Sequence, residues 1–72
     1  SEANALGSDD LHKIKKAVVD KRIKILLIEE NRDISFDLDK VVTQVLKDKG
    51  QIVVLKEEQM PSDTGIAAIY RF

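Results

Sequence analysis

The chain reads as a small α+β domain, a three-stranded mixed sheet with one or two helices in the order α-β-α-β-β. Three observations predict this. Two stretches place apolar residues at helical spacing, three short runs are rich in Ile, Val and Leu, and Gly and Pro fall between them. At 72 residues there is room for one domain. Residues 9–72 are assigned to it, and the small-residue start at 1–8 is set aside as a disordered leader or a scar of expression.

The first helix is expected from about Asp9 to Asp20. Ser8 is a suitable N-cap, and Asp9 and Asp10 suit the positive end of the helix dipole. Leu11, Ile14, Ala17 and Val18 form one apolar stripe. Arg22 to Glu30 reads as a strand centred on Ile23-Lys24-Ile25-Leu26-Leu27-Ile28. The second helix follows, with Asp37 as cap, Asp39 in the first turn and Lys47 and Lys49 in the last. Gly50 is expected at the left-handed position that closes it. Phe36 and Val41 have the spacing of a hydrophobic staple, and Leu38, Val41, Val42, Val45 and Leu46 make the face to be buried. Gln51 to Gln59 is a second strand and Ile66 to Phe72 a third. Met60 to Gly65 is the loop that would join them as an antiparallel hairpin. The strands flanking the second helix should run parallel.

These strands do not alternate apolar with polar. Ile25 and Leu27 point to one side and Leu26 and Ile28 to the other, and Ile52-Val53-Val54-Leu55 and Ile66 to Tyr70 repeat the pattern. Both sheet faces therefore want cover. One helix is expected on each, and a second subunit or a protein partner would take what remains. Leu26, Ile28, Val53, Leu55 and Ile69 are the candidate interface. The strand Arg22–Glu30 is a candidate edge for pairing between copies.

Chemistry is sparse. His12 is the single histidine and lies among lysines, Ser8, Ser35 and Ser62 have no evident base, and there is no cysteine. Glu29-Glu30 and Glu57-Glu58 sit at strand ends where charges meet water, and capping accounts for Asp37 and Asp39. Gly7, Gly50 and Gly65 are too dispersed to cradle a phosphate. Neither catalytic residues, nor a cofactor, nor a metal is expected. No apolar run spans a bilayer and no secretory leader is recognisable, which points to the cytoplasm rather than a membrane.

Net charge is −1, unevenly spread. Lys13, Lys15, Lys16, Lys21, Arg22 and Lys24 are opposed only by Asp20 in that stretch, while the remainder is acidic. These six form the candidate contact for RNA or DNA, through phosphate neutralisation. Tyr70 and Phe72 are read as core and edge residues, with a small stacking platform as the alternative. The leading expectation is a non-enzymatic module that self-associates or docks on a protein, and nucleic-acid binding is second.

The segment Asp10-Leu11-His12-Lys13-Ile14-Lys15-Lys16 leads into Arg22-Ile23-Lys24-Ile25. Glu30-Asn31-Arg32-Asp33-Ile34 follows, and then the helix from Val41 to Gly50. In order and local spacing this resembles the C-terminal domain of bacterial translation initiation factor three, a small RNA-binding fold of order β-α-β-α-β-β with an Alba-like layout. The resemblance implies an RNA-binding role. The family's basic strand end and loop correspond here to Ile28-Glu29-Glu30-Asn31-Arg32-Asp33, where Arg32 keeps the expected charge.

Overall fold

The computed structural model describes residues 7–34 and 37–72. The chain forms β1 (Gly7–Ser8), α1 (Leu11–Val19), β2 (Ile23–Glu29), α2 (Leu38–Lys47), β3 (Gln51–Leu55), a 3-10 turn (Glu57–Gln59) and β4 (Ile66–Tyr70). The sheet has four strands in the order β1-β4-β2-β3, one more than expected, because Gly7 and Ser8 pair antiparallel with Ile69 and Ala68.

Both helices begin two residues or fewer from their expected starts. Asp10, rather than Ser8, caps α1. Its carboxylate accepts from the amides of His12 and Lys13 at 2.9 and 3.4 Å, and Ser8 Oγ accepts instead from the amide of Asp10. Asp37 occupies the cap position of α2 without a side-chain cap bond. The Phe36–Val41 staple lies outside the described residues.

Each helix closes on a left-handed lysine. Lys21 (φ 58°) follows α1 and Lys49 (φ 66°) follows α2. The amides of Arg22 and Gly50 reach back to the carbonyls of Ala17 and Val45, at 2.9 and 2.8 Å. Gly50 is thus one residue past the left-handed position. It is needed for contact instead, since a Cβ there would stand 2.6 Å from Val45 Cγ1 and 2.9 Å from the Ile23 carbonyl.

β2 and β3 pair in parallel, as expected. The expected hairpin between β3 and β4 does not form, and β4 pairs antiparallel with β2. Residues 56–65 are too many for a tight hairpin and include the 3-10 turn, so the chain swings to the far side of β2. Burial explains the exchange: four of the five β4 residues are buried and suit an interior position, whereas Gln51 and Val54 of β3 are exposed. β2 is therefore an interior strand, not the expected edge.

Both helices pack on one side of the sheet, contrary to the expectation of one on each. Ile14 and Ala17 of α1 and Val41 and Val45 of α2 join Ile23, Leu26, Ile66, Ala68 and Tyr70 in a single core. The thinnest dimension, 19 Å, fits one sheet and one layer of helices. Leu46, expected in the buried face of α2, is 55% exposed.

Candidate partner-binding surface

The register decides which side chains share the outer face. Leu27 lies beside Val53 in β3 and Ala67 in β4, Ile25 beside Gln51 and Ile69, and Glu29 beside Leu55. Laterally paired residues point the same way, so Ile25, Leu27, Val53, Leu55, Ala67 and Ile69 make one apolar strip across the sheet. Leu26, Ile28, Ile52, Ile66 and Ala68 point oppositely, into the helix layer. A bulge where Ile23 and Ile25 oppose Tyr70 and Ile69 shifts the alternation by one, so that Ile23 and Leu26 both reach the core.

Among the described residues, no helix lies over the strip. Ile69 is 38% exposed, Ile25, Leu27, Val53 and Leu55 are half-buried, and Ala67 is buried. Toward β1 the surface opens into a shallow concavity of about 870 Å³, where Leu27, Ala67 and Ile69 meet the charged side chains of Asp9, Asp10 and Lys13. The strip is suited to contact with another apolar surface, and the concavity beside it adds charged groups.

Of the five interface residues expected from sequence, Val53, Leu55 and Ile69 stand on this strip. Leu26 is wholly buried beneath the helices and Ile28 packs against the same core, so neither belongs to an exposed interface. Ile25, Leu27 and Ala67 are the members that were missed. The missing information was register, since nothing in the chain says that odd positions of β2 lie beside odd positions of β3.

The strip ends at an ion pair between a buried carboxylate and an exposed arginine. Glu29 is 8% exposed, and Arg32 Nη1 stands 3.2 Å from its Oε1. Gly65 (φ 83°) lies under the Arg32 side chain, where a Cβ would fall 2.7 Å from Arg32 Cδ. Glu29 thus departs from the expected water-facing strand end, while Glu30 conforms to it. Glu57 and Glu58 are exposed on the 3-10 turn. Among the described residues no three His, Cys, Asp or Glu gather as a metal site would require, and no helix is long and apolar enough to cross a membrane.

The basic residues are dispersed in role. Lys13, Lys15 and Lys16 are exposed on α1, and Lys16 Nζ lies 3.5 Å from Asp20 Oδ2. Lys21 closes that helix and Lys24 is exposed at the bulge. Arg22 is engaged internally. Its Nε and Nη2 donate to the Phe72 carbonyl at 3.1 and 2.8 Å, and its guanidinium lies over the Tyr70 and Phe72 rings at 4.8 and 5.6 Å. Tyr70 is a core residue and Phe72 is 68% exposed, so the stacking surface between them is occupied by the chain's own arginine.

No family model matches the chain, and no curated protein matches it in sequence. Solved structures do. An archaeal translation termination factor, aRF1, superposes with a TM-score of 0.73 at 23% identity over 99% of this chain and 21% of its own. Pelota from Archaeoglobus fulgidus gives 0.73 at 24% identity, over 92% of this chain and 24% of its own. A model of ribosome-bound archaeal Pelota and ABCE1 gives 0.73 at 21% identity, over 96% and 22%. The fold resembles part of an archaeal translation termination factor and part of archaeal Pelota. The chain spans about a fifth to a quarter of the length of these neighbours, and at such identities the likeness is one of fold.

Proposed function

We propose that the chain is a non-enzymatic docking module that presents its open sheet face to a protein of the translation machinery. The observation that carries this reading is the strip formed by Ile25, Leu27, Val53, Leu55, Ala67 and Ile69, with no described helix over it. Apolar surface of this kind gains free energy on burial at about 25 cal/mol per Å², and the rigid sheet beneath spares a partner the entropy of ordering it. One further feature supports a setting in translation. The structural neighbours are a termination factor and Pelota, and Pelota is also described bound to the ribosome with ABCE1. The module would act in the cytoplasm.

The test is a photo-reactive residue in place of Ile69, activated in extract of the native host. The expected result is an adduct with one protein, abolished by Val53→Glu on the same face. Absence of any protein adduct would overturn the reading. Nucleic acid as the sole adduct would favour the second reading, binding through Lys13, Lys15, Lys16, Lys21 and Lys24, whose exposure supports it. That reading requires retention on RNA at about 50 mM salt, falling steeply as salt rises.

A further inference from the structure

A sheet edge presents unpaired amides and carbonyls, and proteins usually blunt it with charge, proline, a bulge or extreme shortness. The β1 edge is short, at two residues. The β3 edge is not defended. Its five residues, Gln51-Ile52-Val53-Val54-Leu55, contain neither charge nor proline, and the bulge in the sheet lies between β2 and β4. Val54 is 60% exposed, and Leu46 on the adjoining helix is 55% exposed.

The direction of the free groups follows from one bond. The Leu55 carbonyl accepts from the amide of Glu30, so Leu55 turns its polar groups toward β2. By the alternation of a strand, Gln51 and Val53 do the same. The N–H and C=O of Ile52 and Val54 therefore point outward from the sheet.

We infer that β3 pairs antiparallel with β3 of a second copy about a two-fold axis through Val53, joining two sheets into one. In this register Ile52 and Val54 of opposite copies exchange both of their hydrogen bonds. Val53 faces Val53, and Gln51 faces Leu55.

Other centres are worse. An axis through Val54 sets Ile52 against Lys56, whose amide already donates to Gln59 Oε1, and an axis through Ile52 sets Val54 against Gly50, whose amide already donates to the Val45 carbonyl. Parallel pairing is heterologous and does not close on a two-fold axis. Only the Val53 centre sets the outward groups of Ile52 against those of Val54 in both copies, with both pairs inside the strand. It also places the exposed Val54 against Ile52 of the second copy, and aligns the two open faces on one side of the joined sheet. The inference does not depend on what occupies those faces.

Sedimentation equilibrium from about 10 µM to about 1 mM tests it, together with two single-cysteine variants of a chain that has no cysteine of its own. The register brings the two copies of residue 53 to about 4.5 Å between Cα atoms, within disulfide range, whereas residue 51 does not meet its own copy. The expected result is a concentration-dependent dimer in which Val53→Cys cross-links at least about tenfold faster than Gln51→Cys. Val54→Pro deletes an outward N–H without removing a bond to β2, so it should lower the association constant at least about tenfold with an unchanged circular dichroism spectrum. A monomer throughout, or equal cross-linking at the two positions, would overturn the inference. So would a dimer indifferent to Val54→Pro, which would move the contact to the open face and leave the docking role standing.

Discussion

Leu26 and Ile69 carry side chains of equal size, yet truncating them should have different consequences. Leu26 has no exposed surface and lies between the sheet and the helix layer. Leu26→Ala removes three carbons at about 0.8 kcal/mol each, roughly 2.4 kcal/mol of transfer free energy. The cavity left beneath two helices raises the cost to about 3–4 kcal/mol. A chain of this length holds a net stability of about 4–11 kcal/mol, so the variant should lose from about a quarter to nearly all of it. Ile69 is already 38% exposed, on the side without helices. Ile69→Ala leaves no closed cavity, and its cost should be about 1 kcal/mol, part of it lost strand propensity. Urea unfolding followed by far-ultraviolet circular dichroism measures both, since the chain has no tryptophan for fluorescence. Partner capture should respond in the opposite way, with Ile69→Ala folding normally but failing to dock. An Ile69→Ala cost equal to that of Leu26→Ala would mean that the outer face is covered, and the docking argument would fall with it.

Three further outcomes follow from local geometry. Lys49→Gly relieves a left-handed residue at the end of α2 and should stabilise the chain by about 0.5–1 kcal/mol, read as a higher urea midpoint; no gain would mean that the left-handed closure is misplaced. Gly50→Ala should cost about 1–3 kcal/mol in the same assay, because its Cβ meets Val45 and the Ile23 carbonyl, and a neutral result would exclude that close approach. Arg32→Ala leaves the Glu29 carboxylate buried without its partner and should destabilise by about 1–2 kcal/mol. Restoring the charge as Arg32→Lys should recover only part of that loss.

Much of the fold is legible because it is set by short-range rules. The apolar stripes of Ile14 and Ala17 and of Val41 and Val45 are local patterns, and both face the core. The parallel pairing of the strands around α2 follows from the crossover between them. What was not legible depends on distant choices. Gly7 and Ser8 have no strand signature, and they pair only because β4 arrives beside them. Gly50 looks like a helix-closing glycine because Lys49 can take the strained position at a cost invisible in the sequence. Leu26 and Ile28 look equivalent to Val53 and Leu55 until the register separates them.

The apolar character of both sheet faces is the one feature of the sequence that the completed fold does not use up. A strand buried on both sides is normally the mark of a sheet between two helix layers. Here both helices take the same side, yet Ile25, Leu27, Val53 and Ile69 remain as apolar as residues of a three-layer core. Folding of the described chain alone does not require apolar residues at these positions, since polar side chains would be accommodated on an outer face without helices. On the docking proposal, their presence is accounted for by a layer supplied from outside the described residues. The strip therefore carries the docking proposal better than the lysines do, because solvation alone is a sufficient reason for exposed lysine and an insufficient one for exposed isoleucine.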